Sequence, residues 1–190
     1  MLYDTLKGKR IAILATDGVE RIELTDPRRA LESQGAQTDL IAPKRGRIKT
    51  WEGPADQWGG SLDVDLSVAD ARAGDYHALL LPGGIMNQDL LRQDPGAVAL
   101  VRAIVGAGKK VAAICHGLWL LIEVDAVRGR RVTSWPSLRT DLVNAGAWCV
   151  DDDVVVDGGL VTSRGPDDLP AFCARMVEAF ASQPKPALVA

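Results

Sequence analysis

Short apolar runs of strand type alternate with helical stretches from one end of this chain to the other, and that alternation restricts the fold more than any single motif. Ile11 to Ala15 reads as a buried strand, and Ala30-Leu31-Glu32-Ser33-Gln34-Gly35 closes a helical segment on a C-cap glycine before a second strand over Thr38 to Ala42. Ala78 to Leu81 is a third apolar run, stopped by Pro82-Gly83-Gly84. Val98 to Val105 carries helical apolar spacing, and Lys110 to Ile114 is the next strand. Strands that are apolar throughout need cover on both faces, which a parallel sheet wound with helices on either side provides. The sequence therefore predicts an α/β fold of the doubly wound, parallel-sheet class.

Other segments add to that frame. Arg45 to Gly60, rich in Gly, Trp and charge, reads as a strand-loop excursion off the sheet, its basic residues a solvated face. Val154 to Thr162 places Asp157-Gly158-Gly159 between valine-rich runs, a hairpin signal. Ala147 to Val150 reads as a strand, and Gly165-Pro166-Asp167-Asp168 opens a last helix. Pro27 predicts that the first helix kinks or restarts. At 190 residues, 47% hydrophobic and 25% charged, with no internal repeat, the chain reads as one domain over 1–183 and a C-terminal tail over 184–190.

Composition then narrows the function. Twenty-two basic against 25 acidic residues, a net charge of −3, give no extended footprint for nucleic acid or an anionic membrane. The apolar stretches are too broken for a membrane span, and Met1 to Lys7 lacks the pattern of a signal peptide, so a cytoplasmic location is expected. Cys115, Cys149 and Cys173 lack paired spacing and read as thiols, the last two structural. With only His77 and His116, a multi-histidine metal site is excluded, and neither a metal nor an organic cofactor is expected.

In an open parallel sheet the ligand crevice lies beyond the carboxyl ends of the strands, so residues just after each strand are the candidates. The first such place is Ala112-Ala113-Ile114-Cys115-His116-Gly117, a strand running into a turn and then a helical apolar run. A strand-turn-helix elbow puts a nucleophile on a strained corner beside a helix N-terminus, which favours thiolate over thiol. His116 supplies a backbone N–H where such elbows place an oxyanion donor, and its ring is a candidate base only if the turn is irregular. His77 opens a strand far from the crevice. The second place is Pro82-Gly83-Gly84, which matches no nucleotide-binding fingerprint; Gly84 can offer a second oxyanion N–H. The third is Asp17-Gly18-Val19-Glu20, where Glu20 is either a helix-start acid or an acid that meets the cysteine sulfur. Trp119 and Gly83 are assigned to the substrate-lining wall, with core packing as the alternative for Trp119 and likewise for Trp135.

Ile114-Cys115-His116-Gly117, Leu81-Pro82-Gly83-Gly84, Asp17-Gly18-Val19-Glu20 and Val161-Thr162-Ser163-Arg164-Gly165-Pro166-Asp167-Asp168-Leu169 together resemble the ThiJ/PfpI (DJ-one) superfamily, in order over nearly the whole chain. The resemblance is nearest to the PfpI branch, which shares its fold with class I glutamine amidotransferases. It implies a flavodoxin-like sandwich with Cys115 as nucleophile, Glu20 as the acid touching its sulfur, His116 as the neighbouring histidine, and Gly84 with His116 as oxyanion donors. It also implies a homo-oligomer, dimer or hexamer. In peptidase-type relatives a neighbouring subunit supplies an acid from the segment after the paired glycines. Here Gln88 stands at that position, and Asp89, one residue on, is turned about 100° around a helix. Leu118 stands where close relatives often carry proline.

Three functions are consistent with these residues. The leading one is a stress-response cysteine enzyme acting on small 2-oxoaldehydes, glyoxalase- or deglycase-like, with Cys115 adding to the aldehyde. The second is an intracellular cysteine peptidase or amide hydrolase acting on peptides. The third is a non-enzymatic redox sensor or chaperone in which Cys115 is oxidised.

Overall fold

The computed structural model describes residues 4–55 and 57–182, so the expected tail over 184–190 lies outside the described residues. Strand β1 (Arg10–Leu14) runs through the middle of the sheet. Ile11 and Ile13 point to one face and Ala12 and Leu14 to the other, all four fully buried, as strand periodicity requires when both faces are covered. The short strand β2 (Val19–Glu20), helix α1 (Arg21–Glu32) and strand β3 (Gln37–Ala42) follow. Strands β4 (Arg47–Glu52) and β5 (Gln57–Asp63) form a hairpin that leaves the sheet and pairs through β4 with β2 as a three-stranded flap. The excursion read in the sequence is thus a hairpin, running three residues past Gly60.

The chain returns through β6 (Leu66–Ser67) and β7 (Ala78–Leu81) to α2 (Ile85–Arg92) and α3 (Pro95–Gly106). Strand β8 (Lys110–Ile114) leads to α4 (Leu118–Glu123), and β9 (Arg131–Val132), α5 (Arg139–Asn144) and β10 (Trp148–Cys149) come next. The antiparallel hairpin of β11 (Val154–Asp157) and β12 (Leu160–Ser163) precedes α6 (Leu169–Ala181). Cys149 falls in a two-residue strand that pairs with β9 outside the main sheet.

Among the described residues the central sheet has seven strands in the order β11-β12-β8-β7-β1-β3-β6, with only β11 antiparallel to its neighbour. Its parallel core, β3-β1-β7-β8-β12, is the flavodoxin-like order in which the second strand lies outside the first and the rest follow on the other side. Helices α1 and α6 cover one face through Leu24, Leu31, Phe172, Met176 and Phe180. Helices α2 to α5 cover the other through Leu91, Val101, Ile104, Leu121 and Leu142. The expected restart at Pro27 does not occur. Helix α1 is continuous through it, and Pro27 is itself buried on the inner face.

The chain leaves β1 towards α1 on one face and leaves β7 towards α2 on the other. The carboxyl ends of these adjacent strands therefore open a crevice, and β8 ends beside it. Phe172 is fully buried between α6 and the sheet. Phe172→Ala is expected to lower unfolding free energy by roughly 3–5 kcal/mol. Urea denaturation checks this, and a loss under about 1 kcal/mol would show that the α6 face is not a packed core.

Candidate active site

Strand β8 carries the chain up to Cys115, where the backbone turns to φ 60°. That left-handed conformation costs a non-glycine residue on the order of 1–3 kcal/mol, so the surrounding contacts must impose it. A 3-10 turn over Cys115–Gly117 then enters α4. The elbow expected from the sequence is present, and its strain sits on the cysteine itself.

The irregular turn also brings adjacent side chains together. Cys115 Sγ lies 3.2 Å from His116 Nδ1, and His116 Nε2 lies 3.4 Å from Ser137 Oγ. Burial lowers the His116 pKa to about 4, so the ring is neutral at physiological pH. The backbone N–H groups of His116 and Gly84 are both directed at Cys115. Gly84 has φ 95°, and a Cβ there would run into the Gly18 carbonyl, so only glycine brings this N–H so close.

The acid that meets the sulfur is Glu23, not Glu20. Helix α1 begins at Arg21, which makes Glu20 its N-cap residue and sends its carboxylate to the flap, where it accepts from Gly53 N–H at 3.1 and 3.2 Å. Glu23, one turn inside, lies on the buried stripe with Leu24, Pro27 and Leu31. Its carboxyl stands against the Cys115 side chain, near enough for each group to shift the other's proton affinity, and its Oε2 accepts from Gly83 N–H at 3.0 Å. Its Oε1 has no hydrogen-bond partner. A carboxylate on the inward stripe of an amphipathic helix is a signal the sequence does carry.

Gly83 lies beneath the cavity wall rather than on it. A Cβ at this position would stand 2.6 Å from Cys115 Cβ and press on the Glu23 carboxylate, so the missing side chain lets the acid and the thiol meet. Burial pushes the Glu23 carboxyl up to about 8, helped by the charge of Glu20. Burial and then the Glu23 carboxylate push the Cys115 thiol up, against the two N–H donors. The thiolate expected from the helix terminus is therefore outweighed by desolvation and a neighbouring acid. The two groups titrate as a coupled pair, because a protonated Glu23 no longer repels the sulfur and can donate to it.

Trp119 does not line the cavity. It stands behind His116, ring centroids 5.1 Å apart, with its indole N–H donating to Asp141 at 3.0 Å and the Arg92 guanidinium over its face. Trp135 takes the lining position, with Trp51 from the flap, around a cavity of about 850 Å³ that also reaches Met86 and Asp167. Gln88 is fully buried and donates to the Pro82 carbonyl at 2.7 Å, while the exposed Asp89 is the one that lines the cavity. His77 accepts from Arg10 N–H at 3.0 Å at the opposite end of its strand from the crevice.

Asn87 is a residue the sequence reading passed over. Fully buried, it accepts from Thr16 N–H at 2.7 Å and donates to the carbonyls of Gly83 at 2.9 Å and Pro82 at 3.2 Å. It thereby ties the end of β1 to the glycine turn after β7.

A flavodoxin-like sheet with a strained cysteine elbow, two converging N–H groups and a buried glutamate defines a class of α/β cysteine proteins. The chain belongs to the DJ-1/PfpI family, whose model matches residues 9–179. It is 43% identical over 167 residues to protein/nucleic acid deglycase 2 of Escherichia coli, covering 87% of this chain and 94% of that one. It is 42% identical over 167 residues to general stress protein 18 of Bacillus subtilis, with the same coverage. Among solved structures, an Anabaena variabilis protein that joins a DJ-1/ThiJ/PfpI-like domain to a ferritin-like domain superposes with a TM-score of 0.82 at 34% identity. The match covers 90% of this chain and 47% of that one. Among the described residues no helix is long and apolar enough to cross a membrane, and no group of three His, Cys, Asp or Glu side chains is placed to hold a metal ion.

Two predictions follow from the buried acid and the amide tie. A glutamate held near 8 in the folded chain and 4.5 in the unfolded one keeps its proton in the native state while the unfolded state ionises. Its contribution to stability is whole below pH 4.5 and is lost as the pH rises towards 8. Glu23→Gln is therefore expected to gain on the wild type between pH 5 and 8.5 by on the order of a few kcal/mol. Melting curves at stepped pH read this, and parallel curves for the two proteins refute it. Asn87→Ala strands the buried Thr16 N–H and two turn carbonyls, with an expected loss of roughly 2–3 kcal/mol. Urea midpoints check it, and a change near zero would mean that water replaces the amide.

Proposed function

We propose that this protein is a stress-response cysteine enzyme that acts on small 2-oxoaldehydes, with Cys115 as nucleophile and Glu23 as its acid. The observation that carries the reading is the convergence on one sulfur of two backbone N–H groups and a buried carboxyl pushed up to about 8. The names of the Escherichia coli and Bacillus subtilis relatives support it, since removal of glycation adducts uses the same carbonyl chemistry.

The reaction starts with transfer of the thiol proton to neutral His116 as sulfur adds to the aldehyde carbon, while Glu23 keeps its own proton. The new C–S bond turns the carbonyl into an alkoxide facing the Gly84 and His116 N–H groups. His116 returns the proton to that oxygen, which gives the hemithioacetal and leaves the ring neutral. Neutral His116, 3.2 Å from the sulfur, is then placed to take the proton from the former aldehyde carbon, and Glu23 to supply the proton that closes the enediol at the neighbouring carbon. The product is a lactoyl thioester when the substrate is methylglyoxal. Water cleaves it to lactate and restores the thiol, so methylglyoxal plus water equals lactic acid with no external oxidant or reductant.

Lactate formation from methylglyoxal without glutathione tests the proposal. Cys115→Ala is expected to abolish turnover, and Glu23→Gln to lower it by roughly 10²-fold or more. Glu20→Gln, whose carboxylate is bound to the flap, is expected to lose less than Glu23→Gln. No lactate from the wild type sinks the reading and leaves peptide hydrolysis or peroxide-driven oxidation of Cys115 to explain the site. Equal losses for Glu20→Gln and Glu23→Gln would restore Glu20 as the acid.

A further inference from the structure

The charges around Cys115 are of one sign. Glu20, Asp89 and Asp167 line the cavity beside the largely protonated Glu23, and no lysine or arginine does so among the described residues. Elsewhere on this chain carboxylates collect cations. Asp39 holds Arg10, Asp70 holds Arg45, Glu123 holds Arg92, and Asp151, Asp153 and Asp168 share Arg164. No ion pair among the described residues involves any of the four cavity acids, even though Asp167 adjoins the paired Asp168.

A second observation points to a ligand. Glu23 is fully buried and lines the cavity, yet its Oε1 lacks a hydrogen-bond partner. A buried carboxyl oxygen of this kind is incomplete without a hydrogen-bond partner from something bound. The remaining wall suits the same ligand. Trp51 and Trp135 present indole surface, and aromatic faces attract cations and repel anions.

Resting on the reading of Cys115 as the reacting group, we propose that the site selects its substrates by charge. It takes carbonyl compounds that are neutral or carry a cationic, hydrogen-bond-donating group such as an ammonium or guanidinium, and it excludes those bearing a carboxylate or phosphate beside the carbonyl. Glyoxylate is therefore refused where methylglyoxal is accepted, although the aldehyde is the same.

The test labels Cys115 in the intact protein with three methanethiosulfonates of similar size, one bearing trimethylammonium, one neutral and one bearing sulfonate. In each case the cysteine sulfur attacks the reagent's sulfenyl sulfur, a mixed disulfide forms, methanesulfinate leaves, and the thiol proton goes to solvent. Rates are read by peptide mass mapping and divided by those for 2-mercaptoethanol. The cation-to-anion ratio at Cys115 is expected to exceed the reference by about tenfold or more at low salt, as a charged low-dielectric cleft focuses its field. It should shrink towards the reference in 1 M NaCl and fall in Glu20→Gln and Asp167→Asn. The salt titration on the wild type carries the result if a variant fails to fold.

A ratio equal to that of 2-mercaptoethanol overturns the inference, and so does a ratio that favours the anion. Lactate formation without biased labelling overturns charge selection and leaves the thiol chemistry standing. Biased labelling without lactate does the reverse.

Discussion

The hydrogen bond from Gly83 N–H to Glu23 Oε2, 3.0 Å long and buried, joins parts of the chain 60 residues apart, and the site depends on it. It fixes the carboxyl of α1 against the sulfur at the end of β8 by way of the turn after β7. Each part needs the others. The left-handed backbone at Cys115 is held because the elbow is packed under that turn, and the turn is held by Asn87 and Gln88, whose amides take up its carbonyls. A buried acid with a raised pKa is a destabilising element, and these ties are what keep it in place.

The fold was legible because parallel strands covered on both faces are apolar at their buried positions, so Ala78–Leu81, and Lys110–Ile114, in which the first residue alone is polar, stand out at their observed bounds. The elbow was legible for a related reason: a buried strand that stops at Cys-His-Gly before another apolar run leaves the chain little room except to turn. The acid was harder to read because it depends on helix phase. Glu20 and Glu23 are three residues apart on one turn, and which of them faces inward follows from α1 beginning at Arg21 and not earlier. The stripe of Leu24, Pro27 and Leu31 points to Glu23, but the proline itself suggested a break there. Trp119 and Trp135 could not be told apart in sequence, since their positions are set by Asp141, Arg92 and Gly165 from distant segments. Asn87, an amide at the start of a helix, looks like a surface residue until β1 is seen to end beside it.

A cysteine nucleophile is commonly activated by a cation, from a protonated histidine or a nearby lysine. Neither operates here. His116 is held neutral by burial, and no basic side chain lines the cavity among the described residues. The stabilisers of a sulfur anion are two backbone dipoles and whatever proton Glu23 holds. If Glu23 were ionised, a second negative charge would stand against the sulfur in a medium that screens little. The raised pKa that burial gives Glu23 is thus a condition of the proposed chemistry, and the charge of Glu20 adds to it.

The same argument links activation to substrate choice. In the proposed reaction sulfur adds to a carbonyl and negative charge moves from the thiol to an oxygen facing Gly84 and His116, while Glu20, Asp89 and Asp167 remain around the cavity. A carboxylate on the substrate adds to that repulsion from the moment of binding and adds more as the alkoxide forms. A cationic group offsets part of it at both stages, and offsets more in the transition state, where the charge is localised on oxygen. Selection by charge would then act on the rate of addition as well as on binding. The acids that give the cavity its sign would favour the neutral and cationic carbonyls whose addition the protein can complete without a positive side chain of its own.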